Sequence, residues 1–187
     1  MAHHLAQINI ARLVAPIGDP RLADFVAQLE PLNRLADAAP GFVWRLQSAS
    51  GDATGIAYSD DPLVIVNMSV WESLAALRDY TYASRHIEAF RDRAKWFERM
   101  DQPHYCLWWV PSGHVPTVAE GKERLEHYRT HGATEFAFWF SQTFPAPVEG
   151  WQAEARYLQN SRSGAPGRWC RYKTKSRGNV VGGEARQ

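Results

Sequence analysis

The sequence predicts an α+β fold: an antiparallel sheet with helices in the order β-α-β-β-α-β, then an added helix and strand. Two observations carry this. Short apolar runs of period two recur at 5–13, 42–47, 63–71, 105–110 and 135–140. Stretches of helical spacing separate the first from the second, the third from the fourth and the fourth from the fifth. The 187 residues, with 45% apolar content, suffice for one domain with a real core.

Taken in order, Leu5–Leu13 alternates, with Ala6, Ile8 and Ile10 on one face and Gln7 and Asn9 on the other. Asp19-Pro20 then reads as a helix start, with Asp as N-cap and Pro in the first turn. Leu22, Phe25, Val26, Leu29, Leu32 and Leu35 follow helical spacing, and Pro31 is expected to kink or split that helix. Pro40-Gly41 ends it, Phe42–Gln47 is a second strand, and 48–62 is a polar hairpin loop. Leu63–Trp71 is the third strand, and 72–100 is helical with a break near Ser84. Tyr105–Val110 is the fourth strand. Thr117 caps a helix through Thr130 that Gly132 closes, and Glu135–Phe140 is the fifth strand. The first six elements form the ferredoxin-like split βαβ pattern. Residues 1–145 form this domain. Residues 146–187, rich in Gly, Ser, Pro, Arg and Lys, are expected to be an irregular, flexible basic tail.

In the third strand, Val64, Val66, Met68 and Val70 make one wholly apolar face. The other face turns from Leu63 and Ile65 to Asn67, Ser69 and Trp71. If the most apolar face of each strand packs under the helices, the opposite face gathers Gln7, Asn9, Arg45, Gln47, Asn67 and Ser69 beside Trp71, with Tyr80 near. Such convergent polar groups in aromatic walls suit a small-molecule pocket. Arg45 would favour an anionic or phenolic ligand. The blander reading has these groups satisfying one another and water across an interface. Leu5, Leu63, Ile65 and Trp71 share that face, and an uncovered patch of this kind calls for a second copy, hence a homodimer. His86, on or beside the second long helix, could transfer a proton or simply make a structural hydrogen bond.

Other patterns narrow the function. His127 and His131 stand at i, i+4 without the HExxH context, so no metal site is assigned. No Gly-rich phosphate loop or nucleophile elbow occurs. Cys106 reads as a buried thiol, and two cysteines make no disulfide framework. The net charge of +1 argues against coating nucleic acid or membrane. The basic-aromatic run Arg162–Arg177 allows single-strand binding, but a solvated extension is the simpler reading. With no leader pattern and no long apolar segment, a soluble cytoplasmic protein is expected.

The segment Val66–Trp71, Glu72-Ser73, Leu77, Tyr80, Ser84 and His86 resembles the corresponding stretch of antibiotic-biosynthesis-type monooxygenases in the dimeric α/β-barrel superfamily. LAQINIARL, PGFVWRLQ and HIEAFRDRAKWFERM followed by LWWVPSGHVPT resemble an uncharacterised bacterial family of that superfamily more closely, over residues 4–145. The resemblance implies a ferredoxin-like protomer whose sheets pair into a barrel, with a pocket in each half. Relatives of this kind include cofactor-free oxygenases of polycyclic phenols and haem-degrading enzymes. It implies Asn9, Trp71 and His86 as pocket residues. At the place of the haem degraders' axial His this chain has Phe90 and Arg91.

Three readings follow. The first is a monooxygenase-like enzyme that oxidises an aromatic or phenolic compound without a cofactor. There Asn9 and Arg45 would act on an oxyanion, His86 would move a proton, and Gln7, Gln47, Asn67, Ser69, Trp71 and Tyr80 would bind substrate. The second is a non-catalytic ligand-binding or stress-associated dimer. The third is a haem-binding protein.

Overall fold

A computed structural model describes residues 2–82 and 93–147. Its strands are β1 (His3–Arg12), β2 (Phe42–Arg45), β3 (Val64–Trp71) and β4 (Tyr105–Pro111). Its helices are α1 (Ala23–Asp37), α2 (Leu74–Tyr82), α3 (Arg93–Trp96) and α4 (Val118–His131). The strands form one antiparallel sheet in the order β2-β3-β1-β4, which is the ferredoxin-like order.

The caps follow the sequence. Asp19 accepts the Arg21 backbone N–H and opens a short 3-10 turn, Pro20–Leu22, that leads into α1. Thr117 accepts the Glu120 N–H at the start of α4. α1 runs through Pro31 as one helix, so the expected split does not occur. Proline removes one amide and leaves the rest of the ladder to hold the helix.

The sheet lies between two helical layers, and this corrects the expected layout. The wholly apolar face (Ala6, Ile8, Ile10, Val66, Met68, Val70, Cys106, Trp108 and Val110) is buried under α4 through Leu125, Val118 and Tyr128. Gly121 lets α4 approach, since a Cβ there would lie 2.8 Å from Ile8 Cδ1. α2 and the first turn of α1 pack on part of the other, mixed face. Leu77 of α2 packs on Leu5, Trp71 and Leu107, and Phe25 of α1 packs with Leu13 and Ile65. Leu5 and Trp71 are therefore closed off within one chain, at 0% and 1% exposure. Of the four apolar residues expected to await a second copy, Leu5 and Trp71 are thus covered within the chain, whereas Leu63 and Ile65 are half-buried.

Three elements differ from expectation. β2 stops at Arg45, after an irregularity between Phe42 and Trp44 that sets Arg45 opposite Ser69. The fifth strand is reduced to an isolated bridge, in which Leu107 and Phe138 exchange backbone bonds of 2.8 and 2.9 Å. Of the long helix at 72–100, α2 and the single turn of α3 are seen, and the expected break near Ser84 lies outside the described residues. The residues from 148 onward, with the expected tail and Cys170, also lie outside them. No helix among the described residues is long and apolar enough to cross a membrane.

Candidate functional site

The mixed face carries a connected set of polar groups beside Trp71, on which α2 packs. The β1–β3 register places Gln7 opposite Ser69 and Asn9 opposite Asn67. Cross-strand partners share a face, so the four side chains meet. Gln7 Nε2 donates to Asn67 Oδ1 at 2.7 Å and to Ser69 Oγ at 2.9 Å. Trp71 Nε1 donates to the same Ser69 oxygen at 2.8 Å. Gln7 and Ser69 are the buried polar residues of the described core, at 6% and 7% exposure. Their mutual bonds explain why they are tolerated there. Asn67, at one end of the chain of bonds, is exposed.

Aromatic rings wall this set. Tyr80 of α2 stacks on Trp71 with centroids 4.9 Å apart, and Phe42 meets Trp71 edge-on at 5.4 Å. Burial, then the Asp37 carboxylate, pushes the Tyr80 phenol up to about 12, so it stays protonated at neutral pH. Tyr80 also lines a groove of about 550 Å³ between the end of α1 and α2, with Ala39, Pro40, Gly41, Glu72 and Ala76.

Arg45 shares this face but is turned to its edge. Nε and Nη2 bind both oxygens of Asp37 at 2.7 and 3.2 Å, and Nη1 binds the Gly51 carbonyl at 2.8 Å. The guanidinium thus finds a helix acid, which leaves all three of its nitrogens engaged. Gln47 is exposed beyond the end of β2, away from the bonded set. Asn9 is half-buried between Asn67 and Tyr105 in the sheet register. His86 lies outside the described residues. The structure thus joins Gln7, Asn67, Ser69, Trp71 and Tyr80, places Asn9 beside them, and separates Arg45 and Gln47.

Tyr105 is the residue the sequence reading missed. It stands on β4 opposite Asn9, edge-on to Trp139 at 4.0 Å. Its hydroxyl is withdrawn from water and has no hydrogen-bond partner. Burial raises its pKa far above the ordinary phenol value. The signal was available: phasing Tyr105–Val110 against the first strand puts Tyr105 and Leu107 on the face of Asn9 and Gln7.

The remaining histidines serve local structure. His127 Nε2 lies 2.9 Å from Thr134 Oγ1, and its ring stacks on His131 at 4.4 Å. Among the described residues no three His, Cys, Asp or Glu side chains group as metal ligands.

A family model described as a domain of unknown function, DUF3291, matches residues 4–154. No functionally curated protein matches the chain. Solved structures with a similar arrangement include SnoaB, a cofactor-independent oxygenase from Streptomyces nogalater. It is 13% identical, with 61% of this chain and 97% of that chain covered and a TM-score of 0.39. A candidate antibiotic biosynthesis monooxygenase from Chloroflexus aurantiacus J-10-fl is 16% identical over 60% and 97% of the two chains, with a TM-score of 0.39. The protein NE2512 of unknown function from Nitrosomonas europaea is 16% identical over 62% and 97%, with a TM-score of 0.40. Similarity at this level assigns no chemistry to this chain.

Proposed function

The chain belongs to the DUF3291 family, and from that premise we propose that it is a small-molecule enzyme that oxidises a phenolic or other electron-rich aromatic compound without a cofactor. The observation that supports this best is the hydrogen-bonded run from Trp71 through Ser69 and Gln7 to exposed Asn67. Its Trp71 end is stacked on Tyr80 of α2, and Tyr105 stands opposite the neighbouring Asn9. An aromatic ring would lie against such walls, and the Asn67 and Asn9 amides would stabilise its phenolate oxygen. His86 is the proposed proton acceptor. In the overall reaction dioxygen would place one oxygen on the ring and release the other as water, with a quinone as product. The resemblance of the stretch from Val66 to His86 to antibiotic-biosynthesis-type monooxygenases agrees in kind. Arg45 is assigned to holding the end of α1 against β2, since Asp37 and Gly51 occupy it.

Oxygen uptake with a panel of naphthols and hydroquinones tests the proposal, on protein free of added metal, flavin or haem. Uptake is expected, with Asn67→Ala slowing it about 10-fold or more. Asn67→Ala also takes one of two acceptors from the buried Gln7 amide, so a modest fall in melting temperature is expected beside the slower uptake. Absence of uptake across the panel would reject oxidation.

A second reading, a binding protein without turnover, is favoured by one observation: Gln7, Ser69 and Trp71 bond one another and leave little reactive capacity. Quenching of tryptophan fluorescence by the same phenols, without uptake, would support it.

A further inference from the structure

We propose that the site takes a vicinal dihydroxyarene, with Gln7 accepting a hydrogen bond from the hydroxyl next to the phenolic oxygen. This rests on the reading of the polar run as a phenol site and adds the group beside the phenol.

Two amides fix each other there. Gln7 Nε2 uses both of its hydrogens, on Asn67 Oδ1 at 2.7 Å and on Ser69 Oγ at 2.9 Å. The amide cannot turn over without losing both bonds, so Gln7 Oε1 is held in one direction. That oxygen makes no hydrogen bond among the described residues, and it is not one of the side-chain atoms closed off from water. Gln7 as a whole is only 6% exposed, so Oε1 is a fixed acceptor rather than a mobile surface group. On Asn67 the polarity is reversed. Its Oδ1 is taken by Gln7, which leaves the Nδ2 hydrogens as donors, and no described residue accepts them. An acceptor and a donor thus stand on adjoining amides.

The surroundings select the ligand. The next pair along the same face, Ala11 opposite Ile65, is apolar and half-buried, and it offers a ledge for a ring. The strand residues of this face from Gln7 to Ala11 and from Ile65 to Trp71 are uncharged, and Arg45 is bound to Asp37. A carbonyl acceptor with no cation beside it opposes a carboxylate, and it gains nothing from a methyl ether. It pairs with the proton of a neutral hydroxyl. With the phenolic oxygen on the Asn67 amide, that hydroxyl belongs on the neighbouring ring carbon.

The test is titration calorimetry on the full chain, without oxygen, using 2,3-dihydroxynaphthalene, 3-methoxy-2-naphthol and 2-naphthol. The native chain is expected to bind the diol about 5-fold or more tighter than either of the others. Gln7→Met, checked for folding by circular dichroism, should bind the diol and its methyl ether within about 2-fold of each other. Equal affinity of the native chain for the diol and the ether would overturn the proposal, and this comparison needs no variant. Preference for the diol that persists in folded Gln7→Met would overturn it too, as would no saturable binding of the diol at about 1 mM. The two readings fail separately. Oxygen uptake with naphthols but no preference for the diol would sink this inference alone. Preference for the diol with no uptake across the phenol panel would sink oxidation alone.

Discussion

Trp71 and Gln7, on neighbouring strands, donate to a single oxygen: the Ser69 hydroxyl receives the indole N–H at 2.8 Å and the Gln7 amide at 2.9 Å. One small side chain thus fixes the rotamers of a buried amide and of the largest ring in the site.

Ser69→Ala should therefore cost about 1–3 kcal/mol, since it leaves a buried indole N–H unpaired and deprives Gln7 of one of two acceptors. Urea unfolding of the variant measures this. A loss below about 0.5 kcal/mol would show that the donors find other partners.

Gly41 has φ of +75° and receives the α2 side of the molecule closely: a Cβ there would lie 2.6 Å from Ala76 Cβ. Gly51 has φ of +86° with nothing within 4 Å. Both substitutions to Ala incur the left-handed backbone penalty of about 1 kcal/mol, but Gly41→Ala adds a clash between two helix-loop segments. Gly41→Ala should lower the melting temperature clearly more than Gly51→Ala. Equal shifts would mean that the loop yields freely.

The Arg21 guanidinium and backbone N–H hold the Asp19 carboxyl at about 2, below its ordinary 3.8. The folded value is the lower one. The cap's contribution is thus present above pH 3.8 and lost as pH falls through about 2. NMR titration of the Asp19 carboxyl should show the low midpoint, and Arg21→Ala should move it toward 3.8. An unshifted midpoint in the native chain would refute the interaction in solution.

Burial pushes the Cys106 thiol up to about 12 and closes it off completely. In a Cys170→Ser background, Ellman's reagent should label nothing at pH 8 until denaturant is added. Rapid labelling of the native protein would mean that α4 opens often.

The strands were legible because each has one strongly apolar face, as Val64, Val66, Met68 and Val70 show. Asp19 and Thr117 marked their helix starts for the same local reason, a side-chain oxygen placed ahead of free amides. Which helix covers which face was not legible. Alternation separates two faces but does not say what lies on either. Gly121, the residue that admits α4 to the apolar face, looks in sequence like an ordinary weak point in a helix. Gln7, Asn67, Ser69 and Trp71 were grouped correctly because odd positions on two strands share a side, whatever covers them. The fate of Arg45 depended on Asp37, eight residues away in another element, and no local period reveals such a pairing. Phe138 reads as part of a strand, yet it adds only a bridge to the outer edge of β4.

The apolar face of β1, β3 and β4 is completed by the chain up to residue 111, whereas its cover, α4, begins only at Val118. On the ribosome, where residues are added at about 5–20 per second, that surface has no lid of its own until α4 has emerged. It is a natural place for a holding chaperone to act. Substitutions in α4 that leave the mature fold intact can therefore still lower yield, by lengthening the interval in which a finished greasy surface faces its neighbours.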